Sequence, residues 1–290
     1  MTEFEESEFR GPLFNQLERG SHLLWEPGQV FEKTIGVDRA SLCVHDYLWK
    51  LYGFSAPLGG SVLRSHHFHY IWTNTKPKKV LPDFNLNLFI QAKRSEYSSR
   101  SKVKLSPQIN GAHWYFEVTP HQQVSLELLE KELAADALVV YAAPVFHEQQ
   151  QLYNHTSNQT IVSNSTFPKV SMLTGHSKWY YNKGGLTGVA NPDFEDFDEV
   201  NLLSQIETLR NQTGDYRLNS RVQNLQKLSQ AIRNVVEKQS NSFQATRFAY
   251  ERELIDDMIL DYELNNYVGV KDYMQIELFN YLWKLNWLTF

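Results

Sequence analysis

Two short apolar runs constrain this 290-residue chain most: "LNLFI" at 86–90 and "ALVVYAAP" at 137–144. Both are far too short to cross a bilayer. Each is bounded by proline or polar residues, as expected of a strand buried on both faces. Between them, "TPHQQVSLELLEKEL" predicts a helix with Thr119 as N-cap and Pro120 at the first helical position. Its apolar stripe is read as Val124, Leu128, Leu129 and Leu133. A helix linking two buried strands is the pattern of an α/β layer.

The surrounding sequence extends that pattern. Residues 8–20, "EFRGPLFNQLERG", read as a short helix stopped by Gly20, and "QVFEKTIGVDRASL" alternates as a strand with Asp38 at its far end. "AHWYFEV" predicts a strand with Trp114, Phe116 and Val118 facing inward. Residues 147–170 are polar and aperiodic, "SKWYYNKGGLTGVAN" reads as a strand and a glycine-rich turn, and "PDFEDFDEV" as a solvated acidic lead-in to a helix. Beyond Asn201 three stripes have helical spacing: Val222, Leu225, Leu228, Ile232 and Val235; Leu254, Ile255, Met258 and Ile259; Ile276, Phe279, Leu282 and Leu285. The expected organisation is an α/β domain over 8–190, with an insertion at about 45–80, and a helical C-terminal subdomain over 191–290.

Composition enters as a bound on function. A net charge of −5 gives no whole-molecule reason for binding nucleic acid. Locally, eight basic side chains between Lys76 and Lys104 face only two acidic ones, Asp83 and Glu96. Cys43 is the only cysteine, so no intramolecular disulfide forms and a reducing compartment is expected. The acidic start "MTEFEESEF" has no basic-then-apolar leader and no long apolar run follows, so a cytoplasmic location without a membrane partner is expected.

Chemistry concentrates where the first apolar run ends, at "FIQAKR". Alternation along a strand puts Gln91 and Lys93 on one face and Ala92 on the other. Cleaving a phosphodiester with a metal needs oxygen ligands for the cation, an attacking water and a positive group to steady developing charge. A carboxylate at one strand end, beside a strand carrying an oxygen ligand two residues before a lysine, is a minimal way to build that.

Glu18 on an early helix, Asp38 at a strand end, "FIQAKR" on a central strand, then a helix and "LVVYAAP", resemble the PD-(D/E)xK, or restriction-endonuclease-like, nuclease superfamily. "IQAKR" is similar to the Gln-x-Lys variant of Mrr-type enzymes. The resemblance covers about residues 8–146. It implies an αβββαβ core, a divalent cation (Mg²⁺ or Mn²⁺), a duplex DNA substrate, a role in bacterial restriction or anti-phage defence, and a homodimer. Carried onto this chain, it makes Asp38 or Asp83 the metal-binding aspartate, Gln91 the second ligand, Lys93 the residue that orients water, and Glu18 a completing carboxylate, with Glu32 as a further choice. Asp38 precedes Gln91 by 53 positions, which an insertion at 45–80 accommodates, and Asp83 precedes it by eight. Arg94, Arg100, Lys102 and Lys104 are the expected backbone-phosphate contacts.

Other constellations are weaker. His66, His67 and His69 lack a cysteine or carboxylate at zinc-ligand spacing, and "NKGGLTG" lacks the ending of a phosphate loop. The alternative to an enzyme is a non-catalytic nucleic-acid-binding or partner-docking protein on the same scaffold, with the aromatic end "LFNYLWKLNWLTF" as a docking surface.

Overall fold

The computed structural model describes residues 2–17, 24–25, 40–41, 86–100, 109, 111–192, 195–197, 200–213, 221–261 and 269–289. In chain order its helices are α1 (Glu6–Leu17), α2 (Pro120–Leu133), α3 (Gln149–Ser157), α4 (Leu202–Thr213), α5 (Arg221–Lys238), α6 (Phe243–Asp261) and α7 (Val270–Trp283). Its strands are β1 (Leu24–Trp25), β2 (Ala40–Ser41), β3 (Asn87–Ala92), β4 (Glu96–Ser98), β5 (His113–Glu117), β6 (Ala137–Pro144), β7 (Ser165–Thr166), β8 (Lys178–Tyr181), β9 (Gly188–Asn191), β10 (Glu195–Phe197) and β11 (Asn286–Thr289). The protein is of mixed α/β class. Among the described residues no helix is long and apolar enough to cross a membrane.

The chain divides into two compact units, one of residues Met1–Pro82 with Phe146–Asn164, the other of Asp83–Val145 with Ser165–Phe290. In the first, α1 carries Phe9, Leu13 and Phe14 inward, and the Phe4 and Phe9 rings meet Phe146 at 5.6 and 6.4 Å. Gln16 ties this helix to the stretch after α3, donating to the Gln159 carbonyl and accepting from the Val162 N–H. Residues 147–170, read from sequence as patternless, contain α3. A reciprocal capping box starts it, with Glu148 accepting from the third helical residue and the Gln151 side chain accepting from the backbone N–H of Glu148.

The second unit holds two sheets. One is ordered β11-β3-β6-β7, and its central pair is parallel, with Leu88 opposite Leu138, Ile90 opposite Val140 and Gln91 opposite Tyr141. Every residue of β3 and β6 is buried, which matches their unbroken apolar runs. The other is an antiparallel sheet, β10-β9-β8-β5-β4. Gly188 on β9 is fixed by packing: a Cβ there would stand 2.1 Å from the Trp179 ring. "EDF" at 195–197, expected as a solvated lead-in, forms the edge strand β10 because Phe197 finds the Trp179 ring at 5.9 Å.

Helix α2 connects the parallel pair and is sandwiched. Leu126, Leu129 and Leu133 are buried, while Val124, expected on the apolar stripe, is half exposed. Polar residues take its place: Ser125 accepts from the Trp283 indole N–H of α7 at 2.6 Å and donates to Gln239, just after α5, at 2.7 Å. The helix thus has a second buried face, against the C-terminal helices, that an apolar stripe alone does not reveal. Those helices bury Leu225, Leu228, Ile232, Val235, Ile276 and Phe279 as their spacing predicts.

Residues 191–290, expected as a separate helical subdomain, fall in the same unit as Asp83–Val145. The reason is β11, which pairs antiparallel with β3, Trp287 opposite Phe89. The two rings stack at 6.5 Å, and the Trp287 indole N–H donates to Asn87 at 3.0 Å.

Candidate functional site

The carboxyl ends of β3 and β6 lie side by side, the position where α/β layers present chemistry. The ladder continues one residue past β3, with the Lys93 N–H donating to the Ala142 carbonyl at 2.8 Å. That bond fixes the Lys93 backbone. Gln91 and Lys93 are 2 % and 7 % exposed, so their side chains are enclosed by protein. Tyr141, in register with Gln91, belongs to the same face, and its ring centroid lies 5.6 Å from Lys93 Nζ.

The start of α2 supplies the lysine's acceptors. Lys93 Nζ donates to Gln122 Oε1 at 3.1 Å and to Thr119 Oγ1 at 3.3 Å. Thr119 has the extended backbone of an N-cap, yet its hydroxyl makes no capping bond and serves the lysine. Behind them the Tyr141 hydroxyl donates to Gln123 Oε1 at 2.7 Å, and Gln123 Nε2 donates to Glu127 at 2.7 Å and to the Val170 carbonyl at 3.0 Å. Burial, then the nearby Glu127 charge, pushes the Tyr141 phenol far above its ordinary range, so it remains a donor at every physiological pH.

One atom in this enclosed cluster stands out. Gln91 Oε1 is buried and, among the described residues, has no hydrogen-bond partner. A buried amide oxygen left unpaired costs about 1–3 kcal/mol, a cost that a ligand group or cation would offset. The arrangement therefore presents an unpaired neutral oxygen two residues before a buried ammonium.

Other expected residues stand as follows. Asp38, Asp83, Glu18, Glu32, Lys102 and Lys104, like His66, His67, His69 and Cys43, lie outside the described residues. Arg94 is partly exposed and ion-paired with Glu96 at 3.7 Å, and Arg100 is exposed on the turn after β4. Lys93 itself is buried, so it does not belong to a surface patch of basic residues. Among the described residues no group of three His, Cys, Asp or Glu side chains could hold a metal ion. The described cluster thus supplies one oxygen suited to a hard cation and no complete ligand set.

Sequence reading missed Tyr141, Gln122 and Thr119 as partners of Lys93. The signal was faint but present: a lone tyrosine inside an otherwise aliphatic strand, and two glutamines immediately after a helix start. Comparison with protein-family models, with curated proteins and with solved structures yields no match.

Proposed function

We propose that the chain is a metal-dependent endonuclease that hydrolyses phosphodiester bonds of DNA, on a restriction-endonuclease-like core, in bacterial restriction or anti-phage defence. The observation that carries this reading is the buried Gln91 Oε1, unpaired among the described residues and two positions before the buried Lys93, at the carboxyl end of a parallel strand pair. A fixed ammonium in a water-poor site stabilises negative charge far better than one in solvent, and phosphodiester hydrolysis builds such charge on the phosphoryl oxygens. Mg²⁺ or Mn²⁺, with Asp38 or Asp83 and Gln91 as ligands and Glu18 or Glu32 completing the set, belongs to the same proposal, as does Arg100 as a phosphate contact. The defence role rests on the family resemblance alone.

A second reading has its own support. The Lys93 ammonium already has Gln122, Thr119 and the Tyr141 ring around it, the environment of a structural lysine. On this reading the protein binds nucleic acid or a partner without cutting.

Incubation of the purified protein with supercoiled plasmid, linear duplex and single-stranded RNA, in Mg²⁺ or Mn²⁺, separates the two. The nuclease reading expects DNA cleavage that stops with chelator and falls roughly 100-fold or more in Lys93→Met, which keeps much of the aliphatic stem. Circular dichroism melts establish that the variant is folded, and Asp38→Ala beside Asp83→Ala distinguishes the candidate aspartates. Salt-dependent DNA affinity without cleavage under any of these conditions would sink the nuclease reading in favour of the second.

A further inference from the structure

Helices α5 and α6 follow one another across the turn 239–242 and enclose a cleft of about 400 Å³. Arg233, Val236 and Ser240 line it from one side, and Ala245, Phe248 and Arg252 from the other. Each set has the spacing i, i+3, i+7, so each forms one stripe. Helix α6 turns its stripe toward α5 and leaves Phe243, Tyr250 and Leu254 to solvent. Each arginine is the member of its stripe farthest from the turn, so two guanidiniums share the same end of one cleft.

Neither guanidinium has a carboxylate partner among the described residues. Arg233 donates through Nη1 to Gln275 Oε1 at 2.9 Å and Ser229 Oγ at 3.3 Å, and through Nη2 to Gln230 Oε1 at 2.8 Å, all neutral oxygens. Asp272 stops one hydroxyl short of it, accepting from Ser229. These bonds hold the Arg233 side chain in place, and its Nε–H and one Nη2 hydrogen have no partner among the described residues. Arg252 makes no hydrogen bond or ion pair with any described residue, so its whole fork of donors is open. Both side chains are half-buried, which leaves their charges less screened than at an open surface. Two like charges in one cleft repel, and an anion between them turns that repulsion into attraction.

The wall selects the anion. Glu237 is the only acid lining the cleft, so the wall is net positive. Helix α6 also carries Glu251, Glu253, Asp256 and Asp257, a charge that repels a polyanion such as DNA more than a small ligand. A carboxylate presents two oxygens in one plane. A phosphate monoester presents three around a tetrahedron, enough for forks that arrive from two helices. Toward the turn the floor is apolar, with Val236, Ala245 and Phe248 only 9 %, 3 % and 1 % exposed, which suits an apolar or aromatic body. The volume lies in the range of small-molecule sites, roughly 300–1,000 Å³.

We propose that the cleft between α5 and α6 binds a small organic phosphate monoester, its phosphate between Arg233 and Arg252 and its apolar body on Val236 and Phe248. The site shares no residue with the Lys93 cluster and does not rest on the nuclease reading.

Isothermal titration of the full chain with phenyl phosphate, in a phosphate-free buffer, tests it. Wild-type protein should bind it about 10-fold or more tighter than inorganic phosphate, which lacks the apolar body, and than benzoate, which lacks the third oxygen. Arg252→Gln should weaken binding about 10-fold or more, with a melting temperature unchanged or raised, because no bond among the described residues is lost and a like charge is removed. Ala249→Phe, at an exposed lining position, should fill the cleft and weaken binding comparably while leaving both arginines in place. No binding of phenyl phosphate, equal affinity for benzoate, or binding indifferent to either variant would overturn the proposal. Duplex DNA affinity lowered by Arg252→Gln in a protein that does not bind phenyl phosphate would overturn it too, and would make the arginines a nucleic-acid contact.

Discussion

The two sheets of the larger unit solve the same burial problem differently. In the parallel pair β3 and β6 every residue is buried, with α2 against one face, whereas the antiparallel sheet keeps Glu96, Tyr97, Tyr115, Glu117 and Lys178 partly or wholly in solvent. The consequence is electrostatic as well as steric. On the antiparallel sheet a charge meets its partner in water, as Lys178 meets Glu117 at 2.7 Å. At the end of the parallel pair the Lys93 ammonium is shielded from solvent and donates to the Gln122 and Thr119 oxygens beside the Tyr141 ring. Chemistry that needs a strong local field belongs to the second environment.

The contrast is sharpest in stability. Phe89→Ala, at a fully buried β3 site stacked on Trp287, should cost about 3–5 kcal/mol by urea unfolding, against about 1 kcal/mol for Tyr115→Ala at a partly exposed site of β5. Equal losses would show that the antiparallel sheet is as integral to the core as the parallel one.

The two regions should also titrate with opposite sign. Burial raises the Glu130 carboxyl on α2 above its ordinary 4.5, although Ser171 hydrogen bonds pull the other way. The native state then binds a proton more tightly than the unfolded one, so this group favours folding increasingly as pH falls from neutral through its raised pKa toward 4.5. Glu130→Gln should therefore raise the urea midpoint at pH 7 and lose that advantage by pH 4. Glu117 behaves in reverse: its bond to Lys178 lowers its carboxyl, so its contribution is present above 4.5 and is lost as pH falls through the lowered value. A Glu130→Gln midpoint gain that persisted unchanged at pH 4 would remove Glu130 from this account. The smallest effect is expected for Lys178→Ala, about 0.5 kcal/mol or less and smaller still in 1 M salt, because the pair is solvated.

How much of this was legible in the sequence follows the same division. "LNLFIQAK", "TPHQQVSLELLEKEL" and "ALVVYAAP" become β3, α2 and β6 with bounds close to those read, because burial on both faces demands unbroken apolar runs and a helix between them carries its own start signal. The outward face of "AHWYFEV" was harder. His113 is fully buried where alternation places it outside, its ring 5.9 Å from Tyr180 and its Nδ1 3.0 Å from the Gly111 carbonyl. Alternation reports which sides are wet only when a sheet has one covered face. For the candidate site, Gln91 and Lys93 were legible from strand periodicity. Thr119, Gln122 and Tyr141 were not, since their roles depend on the parallel register that brings the start of α2 and the end of β6 beside β3. The exposed line of Phe243, Tyr250 and Leu254 was hidden for a related reason: Leu254 was assigned inward beside Ile255, and only the packing of Phe248 on Trp283 fixes which side of α6 turns out.

The pairing of β11 with β3 has a temporal consequence. Trp287 closes a contact with Asn87 across 200 positions of chain. During synthesis, β3, α2 and β6 emerge long before that partner, and contacts of such separation form late because the intervening chain must first be ordered. Until β11 arrives, one flank of β3 shows its backbone donors and acceptors beside an apolar surface, open to any other strand that can add to it. The last strand is therefore a closing seam for the sheet, and the interval before it docks is the period in which the nascent protein is most exposed to pairing with the wrong chain.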